Sequence, residues 1–140
     1  MSVAIVRSHD CDLDDVLSRS PEARTLPNAA QLLRRWYRVS EEIWFGMHDD
    51  RIACICGLWP PSLISNRAYL WLLTTDLVEQ HKFLFIRYSQ RMIEDALKRY
   101  DKIIGHVEVG NDAGRKWLRW LGANIEPPAN GFSKFTIRRR

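Results

Sequence analysis

The sequence predicts an α/β fold, a mixed α+β sheet with helices on its faces, in the order β-α-α-β-β-β-α-β-α-β. Three observations lead there. Short apolar runs bounded by turn residues alternate with segments of helical period. One run, "AYLWLLTTD", is apolar on both faces, as a central strand must be. It leads into the clearest amphipathic helix of the chain, "FIRYSQRMIEDALKRY".

The elements follow in order. "SVAIVRS" has the apolar content of a short strand, and "HDCDLDDVLSRS" a helix with acids at its start and Leu13, Val16 and Leu17 on one side. "RTLPNAAQLLRRWYRVS" reads as a second helix. Asn28 is its expected cap, with Gln31 reaching back, and Leu32, Leu33, Trp36 and Val39 form its stripe. "EEIWFGMH" and "RIACICGLW" flank Asp49-Asp50 as a hairpin, and the prolines of "WPPSLISNR" make a loop. After the central strand, residues 85–100 form a helix. Phe85, Ser89, Met92, Ile93, Ala96, Leu97 and Tyr100 face inward, and Glu94–Lys98 and Asp95–Arg99 are ordered as favourable pairs on the outside. "KIIGHVEVG" is a strand. "NDAGRKWLRWLGA" is a helix that Asn111 or Asp112 starts and Gly122 ends in a left-handed cap. "NIEPPANG" turns the chain into a last strand, "FSKFTIRR".

The 140 residues read as one domain, with no linker or repeat, and 46% hydrophobic content supports a packed core. No apolar run reaches the ~20 residues of a membrane helix. The start lacks a basic n-region followed by an apolar stretch, so a cytoplasmic compartment, or a particle assembled there, is expected. The net charge of +4 sits at the basic C-terminal end, 134–140, in Lys134, Arg138, Arg139 and Arg140. Arg115, Lys116 and Arg119 form a second basic cluster. A basic end is either a solvated tail or a contact for nucleic acid through Arg138, Arg139 and Arg140. Cys54 and Cys56 alternate on a strand and share a face, as buried thiols do. With Cys11 and scattered histidines they make no metal site, and Glu41, Glu42, Asp49 and Asp50 show no ligand pattern.

This element order resembles the GNAT (Gcn5-related N-acetyltransferase) superfamily over nearly the whole chain. The last helix of that family usually reads N-x-x-A-x-x-x-Y-x-x-x-G-F. "NDAGRKWLRWLGA" keeps Asn111 and Gly122, with Gly114 at the small-residue position, Leu118 at the tyrosine and Ala123 at the closing phenylalanine. In the family the tyrosine protonates the departing thiolate of coenzyme A, and leucine has no proton to give. The family binds the coenzyme pyrophosphate through Q/R-x-x-G-x-G/A between the central strand and the long helix. Gln80 aligns with the start of that motif in "QHKFLF", and Phe83 and Phe85 fall on its glycines. The expectation is a phosphate site inherited with the fold and then filled by the two rings.

A second resemblance, over residues 40–125, is to the internal virion protein A family of short-tailed (podovirus) phages. "AYLWLLTTDLVEQHKFLFIRYSQ" and "KWLRWLGA" carry it. It implies a phage or prophage protein in the host cytoplasm or the virion, with phage structural or assembly proteins as partners. The leading expectation is a degenerate acetyltransferase fold, with no cofactor, acting in virion assembly through protein contacts.

The alternative is an atypical N-acyltransferase using acetyl-CoA. Glu108 or His106, two apart on one strand face, would be its base, although surface polarity explains both equally well. The GNAT resemblance then implies donor contacts at Leu73, Thr74, Gln80, Lys82 and Asn111. Thr74 and Thr75 otherwise finish the strand by local hydrogen bonding. Trp117 and Trp120 read as core packing, or as a protein-binding hot spot beside Arg115 and Arg119.

Overall fold

The computed structural model describes residues 3–6, 13–25, 28–49, 51–62 and 64–139. The elements are β1 (Val3–Val6), α1 (Leu13–Arg19), α2 (Pro21–Thr25), α3 (Ala29–Val39), β2 (Glu42–His48), β3 (Arg51–Trp59), β4 (Arg67–Thr74), α4 (Asp76–Gln80), α5 (Lys82–Ala96), β5 (Lys102–Glu108), α6 (Asp112–Trp120), β6 (Asn124–Ile125) and β7 (Phe132–Arg138). The strands hydrogen-bond in the order β1-β2-β3-β4-β5-β7-β6. β4 and β5 pair in parallel, which needs a crossover connection, and α4 and α5 lie between them in the chain. The single domain expected over 1–140 packs as two compact units, residues 1–59 with 71–88, and residues 60–70 with 89–140.

In the first unit β1, β2 and β3 run antiparallel. The expected hairpin is present, with His48 paired to Arg51 and Asp49 at φ 55°. Asp50, like Cys11, lies outside the described residues. Phe45, Ile55, Leu58, Leu73, Leu33 and Val16 are almost wholly buried, each worth about 1.5–3 kcal/mol in transfer free energy. Val39, expected on the inner stripe of α3, is 40% exposed. Asn28 departs from expectation too. It precedes α3 in the left-handed region, φ 56°, and its side chain makes no capping bond.

One contact chain in this unit is tight. The Trp71 indole N–H donates to Ser40 Oγ at 2.6 Å, Ser40 Oγ donates to the Trp36 carbonyl at 2.6 Å, and the two indoles stack at 5.8 Å. Gly57 leaves room for it, since a Cβ there would lie 2.5 Å from Trp71 Nε1. Arg19 at the end of α1 donates to Asp15, Asp76 and the Ile52 carbonyl. The hydrogen bond from Arg19 holds the Asp15 carboxyl below its ordinary pKa.

In the second unit β5 pairs with β7 along its whole length. Ile103, Val107, Phe135 and Ile137 are buried, as are Ile93 and Ala96 of α5 and Leu118 of α6. The long helix begins and ends earlier than residues 85–100, because it starts at Lys82 and gives way to turns after Ala96. Asn111 caps α6 by accepting from the Gly114 amide at 2.9 Å. At the other end the amides of Gly122 and Ala123 donate to the carbonyls of Arg119 and Leu118, with Gly122 at φ 84°. This is a Schellman closure, which needs the left-handed residue that glycine supplies. Asn130 and Gly131, at φ 55° and 85°, turn the chain between the paired Ala129 and Phe132. The segment before them, expected as a plain turn, also adds strand β6 beside β7.

Two expectations follow for stability. Gly57→Ala should force Trp71 off Ser40 and cost about 1–3 kcal/mol of unfolding free energy by overpacking. Asn111→Ala should cost about 1 kcal/mol through the lost cap. Urea denaturation of each variant measures both, and an unchanged midpoint for either removes its structural role.

Candidate functional site

The junction of β4 and α5 is where the sequence placed donor binding. Thr75 organises it. Its amide donates to the Ala53 carbonyl at 2.9 Å, its hydroxyl lies 2.8 and 3.1 Å from the Ala53 and Ile52 carbonyls, and its Oγ1 accepts from the Leu77 amide. Thr75 is 2% exposed. So capped, the chain enters helix α4 directly after the strand instead of an open loop. The His81 amide is taken by the Leu77 and Val78 carbonyls, and the Phe85 amide by the His81 carbonyl. Two amides of the stretch that would cradle a pyrophosphate are therefore engaged inside the protein.

The expected filling by phenylalanine is corrected here. Phe83 is 89% exposed and plugs nothing, while Phe85 is half-buried. Residues 82–85 form the first turn of α5. Gln80 closes α4 and Lys82 opens α5, both exposed, whereas Leu73 is buried and Thr74 half-buried at the end of β4. Thr75 makes the local hydrogen bonds expected at the strand end. Sequence reading missed His81, whose ring stacks on His48 with centroids 3.9 Å apart. His48 Nε2 is buried without a hydrogen-bond partner, and its Nδ1 lies 3.7 Å from Asp49. No spacing rule brings residues 48 and 81 together, because the end of β2 and the C-cap of α4 meet only in the folded unit.

In the second unit α6 carries the remaining family positions. Asn111 is occupied by capping, and a Cβ at Gly114 would lie 2.6 Å from the Asn111 amide nitrogen, which explains the small residue. Leu118 is 2% exposed and sits in the core. Trp117 donates to Ser89 Oγ at 2.9 Å and Arg115 to Ser133 Oγ at 3.1 Å, so both are structural. Trp120 is 51% exposed.

His106 and Glu108 lie on one face of β5, His106 exposed and Glu108 half-buried. The structure adds a partner that the sequence gave no sign of. The Tyr69 hydroxyl lies 3.0 Å from His106 Nδ1, with the rings 5.9 Å apart. Burial pushes the Tyr69 phenol above its ordinary pKa, so it keeps its proton near neutrality. A protonated phenol on an imidazole nitrogen is a proton-holding pair with chemical potential. Leu73, Thr74, Gln80 and Lys82 belong to the first unit, and His106, Glu108 and Asn111 to the second.

The basic end is less free than its sequence suggests. Arg139 donates to the Leu97 and Tyr100 carbonyls and pairs with Asp101 at 3.3 Å, closing the end of α5. Arg138 is exposed, and Arg140 lies outside the described residues. Cys54 and Cys56 are buried free thiols, and burial, then the neighbouring Cys54, pushes the Cys56 thiol well up, which suits inert core residues. Among the described residues no three His, Cys, Asp or Glu side chains gather as metal ligands. No helix among them is long and apolar enough to cross a membrane.

No protein-family model matches the sequence, and no curated protein matches it. Solved structures do. An acetyltransferase of Bacillus subtilis in complex with CoA superposes with a TM-score of 0.72 at 11% identity, covering 99% of this chain and 100% of the other. The ribosomal-protein-S18-alanine N-acetyltransferase of Escherichia coli gives 0.71 at 15% identity, covering 99% and 96%. The Campylobacter jejuni N-acetyltransferase PseH, in complex with acetyl coenzyme A, gives 0.63 at 10% identity, covering 99% and 100%. At such identities the likeness speaks to architecture. The chain has the GNAT acetyltransferase fold.

Proposed function

We propose that this GNAT-fold protein does not transfer acetyl groups from the β4–α5 junction and acts through contacts with other proteins. One observation carries the reading: the amides of His81 and Phe85, within the stretch aligned with the family's pyrophosphate motif, are engaged in α4 and at the start of α5. An anion gains from a helix start only where backbone N–H groups point freely at it. Leu118, buried at the position of the family's general acid, supports the same conclusion. The resemblance of "AYLWLLTTDLVEQHKFLFIRYSQ" and "KWLRWLGA" to internal virion protein A of short-tailed phages supports setting those contacts in particle assembly. Exposed Trp120 beside exposed Arg119 and Lys116 is a surface suited to them. Calorimetry with acetyl-CoA should give no binding tighter than about 10 µM, near −7 kcal/mol. A tighter complex overturns the proposal.

The Tyr69–His106 pair favours a second reading, an atypical acetyl-CoA-dependent N-acyltransferase. There His106 would take the proton of an amine while Tyr69 fixes its ring, with Glu108 on the same strand face. Under it, acetyl-CoA turnover with a polyamine or peptide amine should be measurable and fall at least about 100-fold in His106→Gln, the usual scale of a general base. Turnover unaffected by His106→Gln and Glu108→Gln would dismiss it.

A further inference from the structure

Three cations stand side by side on the exposed sheet face of the second unit. Arg67 of β4 pairs in register with Lys102 of β5, and Lys102 pairs with Arg138 of β7. Residues directly opposite in a ladder place their side chains on one face, with Cβ atoms roughly 5 Å apart, and like charges so placed destabilise the sheet. Arg67 and Arg138 are exposed and Lys102 is half-buried. Among the described residues no acidic side chain lies within ion-pair distance of any of the three. A row of unpaired cations held in register is a liability to the isolated sheet and an asset once an anion lies across it.

The same face carries rings among the cations. Tyr69 lies one pleat along from Arg67, and its hydroxyl meets His106, which pairs in register with exposed Lys134. Rows on one face recur about every 6.7 Å along a strand, on the order of one nucleotide of an extended chain. The raised pKa of Tyr69 keeps its phenol neutral, so it adds no negative charge there. Glu108, paired with Phe132 at the far end, brings the acid on this stretch of β5 and β7. Cations for phosphates interleaved with rings for bases, on an open sheet face, is the chemistry that holds single strands.

We propose that this face binds single-stranded nucleic acid, with phosphodiester groups across Arg67, Lys102 and Arg138 and bases against Tyr69 and His106. An acidic peptide would answer the cations alone and leave the rings without a role. Arg139 takes no part, because its guanidinium closes α5. The site is built without the β4–α5 junction, so it stands whether or not acetyl transfer is retained.

The test is fluorescence anisotropy of the full chain with a labelled oligothymidylate of about 20 nucleotides. Three phosphate contacts on a single strand give a log–log salt slope of about −2. The triple variant Arg67→Gln/Lys102→Gln/Arg138→Gln should bind at least about tenfold more weakly with a flatter slope, and Tyr69→Leu about tenfold more weakly through lost stacking. A charge-matched control on exposed helix positions, Arg35→Gln/Arg87→Gln/Arg91→Gln, should stay within about threefold of the parent under the same salt. Relief of like-charge contact means that the first triple variant should melt at or above the parent at low salt. If it melts well below, the single Arg138→Gln variant at the strand end decides by the same binding criterion. Absence of binding at about 50 mM salt overturns the proposal. So does equal loss in both triple variants, or competition by polyglutamate as effective as by unlabelled oligonucleotide.

Discussion

The hydroxyl and amide of Thr75 fix the point on which the rest depends. Four contacts converge on one buried threonine: its amide to Ala53, its hydroxyl beside the Ala53 and Ile52 carbonyls, and the Leu77 amide onto its oxygen. They end β4 against β3 and start a helix in the next residue. Arg19 reinforces the same corner by reaching both the Ile52 carbonyl and Asp76, the first residue of α4. A strand that ends in an N-cap commits the amides beyond the first turn to a helix. The glycine loop of an acetyltransferase needs the opposite, amides left pointing at a ligand. Under the proposed function, this capping choice is what keeps the junction from serving as a donor site.

The second half of the molecule preserves the framework by other means. Asn111 and Gly114 cap α6 and fit one another closely, and the Gly122 closure fixes its far end. Asn111, Gly114 and Gly122 are each accounted for by the helix itself. Leu118, which falls where the resemblance puts a proton donor, is a core side chain at 2% exposure. Caps and core packing ask for different atoms than proton transfer does, so the fold does not by itself carry the chemistry.

Much of this was legible in the sequence. The strands other than β6 and the three longest helices follow from period and turn residues, as do the Gly122 closure, the Asn111 cap and the hairpin at Asp49. What escaped was decided by tertiary partners. Asn28 sits in the left-handed region instead of donating its side chain to a cap. Helix α4 depends on carbonyls of β3, which local propensity does not see. Phe83, read as a plug, points outward because α5 begins at Lys82, which shifts its face. The pairings Tyr69–His106 and His48–His81 depend on strand neighbours. The in-register row of Arg67, Lys102 and Arg138 likewise exists only once β5 lies between β4 and β7. A basic C-terminal end was visible, yet which of its arginines faces solvent was not.

Backbone amide NMR of the β4–α5 junction under titration with coenzyme A tests the central claim most directly. If the His81 and Phe85 amides are committed to the helices, these two resonances stay in place at millimolar coenzyme and exchange slowly with solvent. Saturable shifts concentrated at Lys82, Phe83 and Leu84 would contradict the account and restore this junction as a donor site.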